Sequence, residues 1–205
     1  MRESAQPVAL ITTFLPSSST TNTSARLIHG ATLSSFSSVS LDPNLVCFSI
    51  KTPSKLAAAL AEHVSSRLDR APAGPDEEVD FVVNVLADTQ AGLAAKYAVP
   101  GTPPLEHPIA VGKETEGAGH PLEEAGLVEV RQGTVPVVQG ALGAFGCQVV
   151  DSIDLSRYAS SKDAETKSIL YIARVVHVYT EPTASRQPLI YHRQQFVSTS
   201  KTPIT

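Results

Sequence analysis

Short runs of β-branched and other apolar residues recur along this chain, and only two stretches with helical spacing separate them. The longest runs are PVALITT (7–13), LVCFSI (45–50), DFVVNVL (80–86), VPVVQGALGAFGCQVV (135–150) and SILYIARVVHVY (168–179). Strands and helices do not alternate regularly, which argues against a doubly wound parallel sheet. The pattern instead predicts a mainly β protein, a closed antiparallel barrel with a few helices outside it.

One long interruption divides the second half of this pattern. Residues 100–125 contain five prolines and several glycines, and we expect them to form an excursion over the core, since loops of that length are usually functional or mobile. A final short strand is predicted over PLIYHRQQFV (188–197). The length favours one domain, so we predict a single domain over residues 1–205 with a core of about 7–197.

The composition excludes several classes of protein. Of the 205 residues, 42% are hydrophobic and only 18% are charged, which excludes a chain that is disordered throughout. A net charge of −4 and a pI near 5.8 provide no basic footprint for a nucleic-acid backbone, so no nucleic-acid partner is expected. No window holds 18 consecutive apolar residues, so no membrane span is expected either.

The cysteines and histidines indicate neither a disulfide framework nor a metal site. Cys47 and Cys147 lie 100 positions apart in apolar stretches, and two buried free thiols are a simpler interpretation than a disulfide or a redox pair. The six histidines include no pair at metal-ligand spacing. We therefore expect a reducing compartment, the cytoplasm or an organelle interior.

The densest polar signal runs from Gly30 to Ser40, with hydroxyl side chains at positions 32, 34, 35, 37, 38 and 40. Small hydroxyls let a ligand lie close to the backbone and donate hydrogen bonds to its phosphate or carbonyl oxygens. The alternative is a Ser-rich strand with edge or loop character, which the pattern alone slightly favours.

A second polar cluster follows the strand 45–50. Ser54 is predicted to cap a helix there, with Lys51 and Lys55 beside it. The free N–H groups and the positive dipole end of a helix attract phosphate. Many helices begin this way, but here the hydroxyl-rich segment is predicted to pair with the strand 45–50 across a turn at Pro43, so one ligand could touch both segments.

A third motif, GALGAFG (140–146), does not have nucleotide-binding spacing. Its glycines follow GxxGxxG rather than GxGxxG, and no helix-forming run comes after them. We interpret them as a bulge or a point of close packing in a barrel strand. No catalytic triad or carboxylate pair can be recognised from spacing, so the residues by themselves name no reaction.

The string GATLSSFSSVSLDPNLVCFSI (30–50), followed by PSKL (53–56) and FVVNVLADTQAGLAAKYA (81–98), resembles the flavin reductase-like family of FMN-binding split barrels. The resemblance covers most of residues 7–197. It implies a six-stranded antiparallel split β-barrel of Greek-key type that forms a homodimer around its flavin. It also implies an NAD(P)H-dependent flavin oxidoreductase that uses FMN, with FAD possible, and passes reduced flavin to a partner monooxygenase or electrons to another acceptor.

The resemblance implies that three groups of residues contact the flavin. Four residues match positions along the flavin and its ribityl-phosphate arm: Thr32, Leu33, Ser34 and Ser35. Three match positions beside the isoalloxazine ring: Ser37, Ser38 and Val39. Three match the cluster that reaches the phosphate: Lys51, Ser54 and Lys55. Asn84 matches a strand asparagine of the family, which we expect to be structural.

Two departures from the family pattern keep other functions open. Many of these reductases carry a Gly-Asp-His triplet, with the histidine near the nicotinamide, where this chain has Thr166, Lys167 and Ser168. A flavin-binding electron carrier without a nicotinamide site is therefore the alternative function, and another phosphate-bearing ligand such as pyridoxal phosphate is a third. The excursion 100–125 and the long first hairpin loop (16–28) could each cover the pocket.

Overall fold

The structure is a computed structural model that describes residues 3–16, 26–68, 79–107, 119–131, 133–159, 167–180 and 186–199. The strands in these ranges are β1 (Gln6–Pro7), β2 (Ala9–Phe14), β3 (Arg26–Leu33), β4 (Ser37–Leu41), β5 (Asn44–Thr52), β6 (Phe81–Val85), β7 (Leu105–His107), β8 (Leu127–Val128), β9 (Val137–Val138), β10 (Gly143–Asp154), β11 (Lys167–Tyr179), β12 (Leu189–His192) and β13 (Gln195–Ser198). The α-helices are α1 (Lys55–Leu68), α2 (Ala91–Ala98) and α3 (Pro121–Ala125).

The principal sheet is antiparallel, with the strand order β4-β5-β11-β10-β6-β2-β3-β7. This order confirms the expected mainly β, antiparallel fold and the predicted pairing of the hydroxyl-rich segment with the strand after Pro43. The predicted count of six strands is too low, because the short strands β4 and β7 extend the six central strands at the two ends of the sheet.

A three-residue connection shows that this sheet curls into a barrel. Residues 34–36 join β3 to β4, and six strand spacings separate these two strands in the sheet order. In a flat sheet they would lie about 29 Å apart, at about 4.8 Å per spacing. Four peptide steps from Leu33 to Ser37 can reach at most about 14 Å. The two ends of the sheet must therefore approach each other, as in a split barrel.

Strands β2 and β6 are buried on both faces, because their alternate side chains enter two different cores. Leu10 and Val82 belong to a core that α2 and α3 complete. Ile11 and Phe81 belong to the other core, which α1 completes. The first core thus fixes α2 and α3 against the sheet, and the second core fixes α1.

Asn84 of β6 holds three strands together from a fully buried position. Its side-chain amide donates to the Leu10 carbonyl at 3.1 Å and to Thr12 Oγ1 at 3.3 Å, and its Oδ1 accepts from the Val138 N–H at 2.8 Å. These bonds connect β6 to β2 and β9. All of its partners belong to the scaffold, which fits the structural role expected for Asn84.

Two glycines of the GALGAFG motif, Gly143 and Gly146, lie at the start of β10, where the interpretation as a bulge and a close-packing point is confirmed, and Gly140 lies in the turn before the strand. The pairing of β10 with β11 shifts register between Gly146 and Cys147. A Cβ atom added at Gly146 would lie 3.1 Å from Val79 Cγ2 and 3.2 Å from the Tyr179 hydroxyl. The small residue is needed because two neighbouring side chains approach its backbone.

The last predicted strand is in fact a hairpin. Strands β12 and β13 pair antiparallel across Arg193 and Gln194, which have φ values of 50° and 65°. Two residues with positive φ are typical of a type I′ hairpin turn. The excursion 100–125 contains β7 and α3, and its residues 108–118 lie outside the described part of the chain.

Candidate active site

A cavity of about 900 Å³, which we call the α1 cavity, lies where β3 and β5 meet the beginning of α1. The end of α2, residues 99–104 and Ser168 complete its wall. Its volume is within the range of about 300–1,000 Å³ that is usual for small-molecule sites. Four of the residues assigned to the flavin line it: Thr32, Lys51, Ser54 and Lys55.

The cationic part of the α1 cavity is the beginning of helix α1. The Ser54 hydroxyl accepts a hydrogen bond from the Ala57 N–H at 3.1 Å, which confirms Ser54 as the N-cap. Lys51 and Lys55 line the cavity on either side of this cap. The first turn carries no acidic residue, and no carboxylate lines the cavity within the described ranges. The helix start is therefore suited to an anion such as phosphate.

Thr32 lines the α1 cavity, and its hydroxyl proton already takes part in a hydrogen bond within the protein. Its Oγ1 donates to the Ala94 carbonyl of α2 at 2.8 Å. This bond ties β3 to α2 and fixes the width of the cavity on that side. Towards a ligand, the Thr32 oxygen is left with the role of an acceptor.

The remaining assigned residues do not line the α1 cavity. Leu33 is buried in the core that α1 completes, so only its backbone is available to a ligand. Ser34 and Ser35 belong to the connection between β3 and β4. Three residues are exposed on the edge strand β4: Ser37, Ser38 and Val39. The structure thus brings the phosphate cluster together with Thr32 and leaves the assigned ring contacts on a separate edge.

Ser35 contacts the α1 cavity indirectly, through Ser49. Its Oγ donates to the Ser49 carbonyl at 3.3 Å and accepts from the Ser49 N–H at 3.1 Å. Ser49 lines the cavity. The Ser35 hydroxyl therefore fixes a piece of the cavity wall.

Two polar side chains that the sequence interpretation did not assign also line the α1 cavity. His29 Nδ1 and the Tyr97 hydroxyl are buried, and neither has a hydrogen-bond partner among the described residues. Burial, followed by the positive charges of Lys55 and His120, lowers the pKa of His29. Burial raises the pKa of Tyr97. Both side chains are consequently uncharged near neutral pH.

The position of His29 offered one weak signal in the sequence, since it directly precedes the hydroxyl-rich stretch that begins at Gly30. Tyr97 offered only its place on the apolar face of a predicted helix. An unmet hydrogen bond depends on the tertiary surroundings, so no sequence pattern could show that either atom lacks a partner.

A second cavity of about 1,090 Å³, the α3 cavity, lies on the other side of residues 99–103. The polar groups that line it are largely used within the protein. Gln90 accepts from the Ala87 N–H and donates to the Gln139 carbonyl, both at 3.0 Å. His120 bonds to the Pro103 carbonyl at 2.9 Å and to the Leu122 N–H at 3.2 Å. The α1 cavity combines a capped helix start with Lys51 and Lys55 and no carboxylate among the described residues, whereas Glu124 lines the α3 cavity, so the α1 cavity is the better candidate for an anionic ligand.

Two of the three residues that depart from the family triplet can be placed. Ser168 lines the α1 cavity and pairs across the sheet with Lys51 of β5, and Lys167 pairs with Thr52. Thr166 lies outside the described residues. Ser168, at the position that holds a histidine in many reductases, thus lines the α1 cavity with a hydroxyl group instead of an imidazole.

Other kinds of site receive no support from the residues that the structure describes. These residues contain no group of three or more His, Cys, Asp or Glu side chains that could hold a metal ion. None of the described helices is both long and apolar enough to cross a membrane. Cys47 and Cys147 are free thiols, and burial, followed by the nearby charge of Asp80, raises the pKa of Cys147.

Comparison with known families identifies the class of protein that this fold and cavity define. The family described as flavin reductase like domain matches residues 1–200. The chain therefore belongs to the flavin reductase-like family. Membership confirms the expected class, an NAD(P)H-dependent flavin oxidoreductase with FMN or FAD as its flavin. No curated protein sequence matches the chain.

Solved structures share the fold at low sequence identity. The flavin reductase of a styrene monooxygenase from Pseudomonas putida is 22% identical, covers 98% of this chain and 94% of its own, and has a TM-score of 0.60. BorF, the flavin reductase component of a bacterial two-component tryptophan halogenase, has 22% identity, the same coverage and a TM-score of 0.62. An NADH:FAD oxidoreductase from Streptomyces globisporus is 14% identical over 97% of this chain and 88% of its own, with a TM-score of 0.63.

Proposed function

We propose that the α1 cavity is the flavin site of an NAD(P)H:flavin oxidoreductase and that FMN is its flavin. One observation carries the proposal: a single cavity combines a capped helix start, two lysines, the exposed apolar residues Val99 and Pro100, and no carboxylate among the described residues. FAD would place the same flavin ring there with a longer nucleotide tail.

Each part of the α1 cavity has a distinct role in this proposal. Lys51, Lys55 and the capped start of α1 hold the phosphate. Val99 and Pro100 are exposed and offer apolar surface to the ring system. When bound, the flavin supplies the hydride-accepting ring, and the hydride comes from the nicotinamide. The protein contributes orientation and the exclusion of water.

A homodimer accounts for the assigned residues on β4. Ser37, Ser38 and Val39 lie on an exposed edge strand, away from the α1 cavity of their own chain. Val39 is 53% exposed and Leu41 is 85% exposed, and such apolar edges are often covered by another chain. We propose that two copies associate through this edge, so that β4 of one copy contributes to the flavin site of its partner.

A partner oxygenase is the proposed consumer of the reduced flavin. One similar structure is named as the flavin reductase of a styrene monooxygenase, and BorF is named as the flavin reductase component of a two-component tryptophan halogenase. The proposed location is the cytoplasm, or an organelle interior, and the two free thiols suit such a reducing compartment.

Absorption spectra of the purified protein test the flavin proposal directly. We expect bound flavin, or saturable binding when FMN is added, and rapid bleaching of the flavin band when NADH or NADPH is mixed in. Colourless protein with no spectral change on FMN titration would contradict the flavin site. Bound flavin that neither nicotinamide bleaches would favour the electron carrier, for which Ser168 in place of the family's histidine is the supporting observation.

A further inference from the structure

The connection between α2 and β7, which we call the 99–104 segment, forms part of the wall of the α1 cavity. Residues 99–103 line the α3 cavity as well, so this stretch of chain separates the two cavities. Val99 and Pro100 are exposed, and Val99 has 63% of its surface accessible. The position of the 99–104 segment therefore sets how wide the α1 cavity is on this side.

One side-chain hydrogen bond ties the 99–104 segment to α2. The Thr102 hydroxyl donates to the Lys96 carbonyl at 2.9 Å, in the last turn of that helix. Carbonyls in the last turn have no partner within the helix, so this one is available to Thr102. The bond fixes the segment on the side of α2.

His120 ties the same segment to the beginning of α3. Its Nδ1 accepts from the Leu122 N–H at 3.2 Å, and its Nε2 lies 2.9 Å from the Pro103 carbonyl oxygen. A backbone N–H only donates and a carbonyl only accepts, so these partners assign the ring proton to Nε2. One neutral imidazole thus caps α3 with one nitrogen and donates to the 99–104 segment with the other.

The core holds the elements on both sides of this bond in place. Leu122, two residues after His120, is fully buried in the core that α2 and α3 complete. Leu105, the first residue of β7, belongs to the same core. His120 therefore links the 99–104 segment to a helix that is itself fixed by packing.

We infer that His120 is a positioning residue for flavin binding, which holds the 99–104 segment against the ring through the Pro103 carbonyl. The inference rests on the proposed function, in which Val99 and Pro100 offer apolar surface to the ring system. Without the bond to Pro103, the segment is free to move towards the α3 cavity, and the ring loses part of this surface. Other residues hold the phosphate at the start of α1, so the effect should be the same for FMN and for riboflavin.

Two substitutions separate the two bonds that His120 makes. The amide oxygen of asparagine can take the place of Nδ1, and asparagine is a preferred N-cap residue, so His120→Asn keeps the cap and loses the bond to Pro103. The amide nitrogen of glutamine can take the place of Nε2, so His120→Gln keeps the bond to Pro103 and weakens the cap.

Fluorescence titration of the full-length protein with FMN and with riboflavin tests the inference, together with melting temperatures from calorimetry. We expect His120→Asn to weaken the binding of both flavins about fivefold, as for one neutral hydrogen bond, and to melt close to the wild type. We expect His120→Gln to bind both flavins like the wild type and to melt about 2–4 °C lower, because its cap is weaker. A purely structural histidine would instead lose stability and flavin affinity together.

Two threonine variants provide matched controls. Thr102→Val removes the other bond that holds the 99–104 segment, so it should weaken the binding of both flavins as His120→Asn does. Thr134→Val removes a hydroxyl that donates to the Arg131 carbonyl at 2.7 Å, at a position that lines neither cavity. It should bind both flavins like the wild type.

Four results would overturn the inference. They are wild-type affinity for both flavins in His120→Asn, equal losses of affinity in His120→Asn and His120→Gln, a loss in His120→Asn that affects FMN but not riboflavin, and a loss of the same size in Thr134→Val. Failure of the proposed function has a different signature, since the wild type itself would then bind neither FMN nor riboflavin.

Discussion

The Ser35 hydroxyl and the Ser49 backbone form a reciprocal pair of hydrogen bonds, with the hydroxyl accepting from the N–H at 3.1 Å and donating to the carbonyl at 3.3 Å. The Ser35 side chain thus bonds to backbone groups of β5 that would otherwise pair with the backbone of a neighbouring strand. The pair anchors the connection between β3 and β4 to the middle of β5, directly beside the α1 cavity.

Loss of this pair should affect both folding and binding. We expect Ser35→Ala to lower the free energy of unfolding by about 1 kcal/mol, because both hydrogen bonds are lost at an exposed site. FMN affinity should fall several-fold, because Ser49 lines the cavity. Urea unfolding and FMN titration measure the two effects. Ser37→Ala is the control for stability, since the Ser37 hydroxyl bonds only to the adjacent Ser38 carbonyl, and a loss as large as that of Ser35→Ala would argue against the pair.

The same glycine-to-alanine change should have opposite effects at two positions. A Cβ atom at Gly30 would lie 2.8 Å from the Ile11 carbonyl oxygen, so we expect Gly30→Ala to cost about 1–3 kcal/mol of stability and to weaken FMN binding. A Cβ atom at Gly92, in α2, would meet nothing within 4 Å. Gly92→Ala should therefore stabilise the protein by about 0.5–1 kcal/mol. Equal melting temperatures for the two variants would contradict both predictions.

Lys55 should contact the phosphate of the flavin and no other part of it. We expect Lys55→Gln to weaken FMN binding about tenfold, because a charge-assisted hydrogen bond is lost, and to leave riboflavin binding unchanged. Added salt should reduce the difference between the two flavins in the wild type. Lys96→Gln is the matched control, since Lys96 lines the α3 cavity. If riboflavin and FMN lost affinity equally, Lys55 would not contact the phosphate.

His29 should make the protein less stable in mild acid. Burial, followed by the charges of Lys55 and His120, lowers the pKa of His29 below its usual value of 6.5, so the unfolded chain binds more protons as the pH falls through that value. The free energy of unfolding then decreases with falling pH until the folded-state pKa is reached. Urea unfolding at pH 7.5 and 5.5 should show a smaller decrease for His29→Gln than for the wild type. An identical decrease would show that His29 does not contribute.

The phosphate cluster was predictable from sequence because its cause is local. Ser54 caps the helix that follows it, and the cap places Lys51 and Lys55 beside the helix start whatever the rest of the fold does. His29 and Tyr97 line the same cavity only through the packing of α2 against β3. Their place in the cavity wall depends on tertiary packing, which no periodicity or spacing encodes.

The errors in the predicted fold have similarly physical causes. Arg193 and Gln194 form a tight turn without the Gly or Asn that usually marks one, so the hairpin of β12 and β13 was predicted as one strand. The hydroxyl-rich stretch from Gly30 to Ser40 likewise carries no signal for a break, although the chain leaves the sheet at residues 34–36. Neither break contains a glycine or a proline, the residues that usually mark a turn.

The connection at residues 34–36 has a consequence for how chains of this kind can diverge. It joins two strands that lie six spacings apart in the sheet order, and removal of one residue would shorten its maximal reach from about 14 Å to about 11 Å. An added residue would slide Ser35 past Ser49 and take the anchor out of register. We therefore expect insertions and deletions to be confined to the outer loops. The short connection limits how far apart the two ends of the sheet can lie, and so it limits the circumference of the barrel and the size of its cavity.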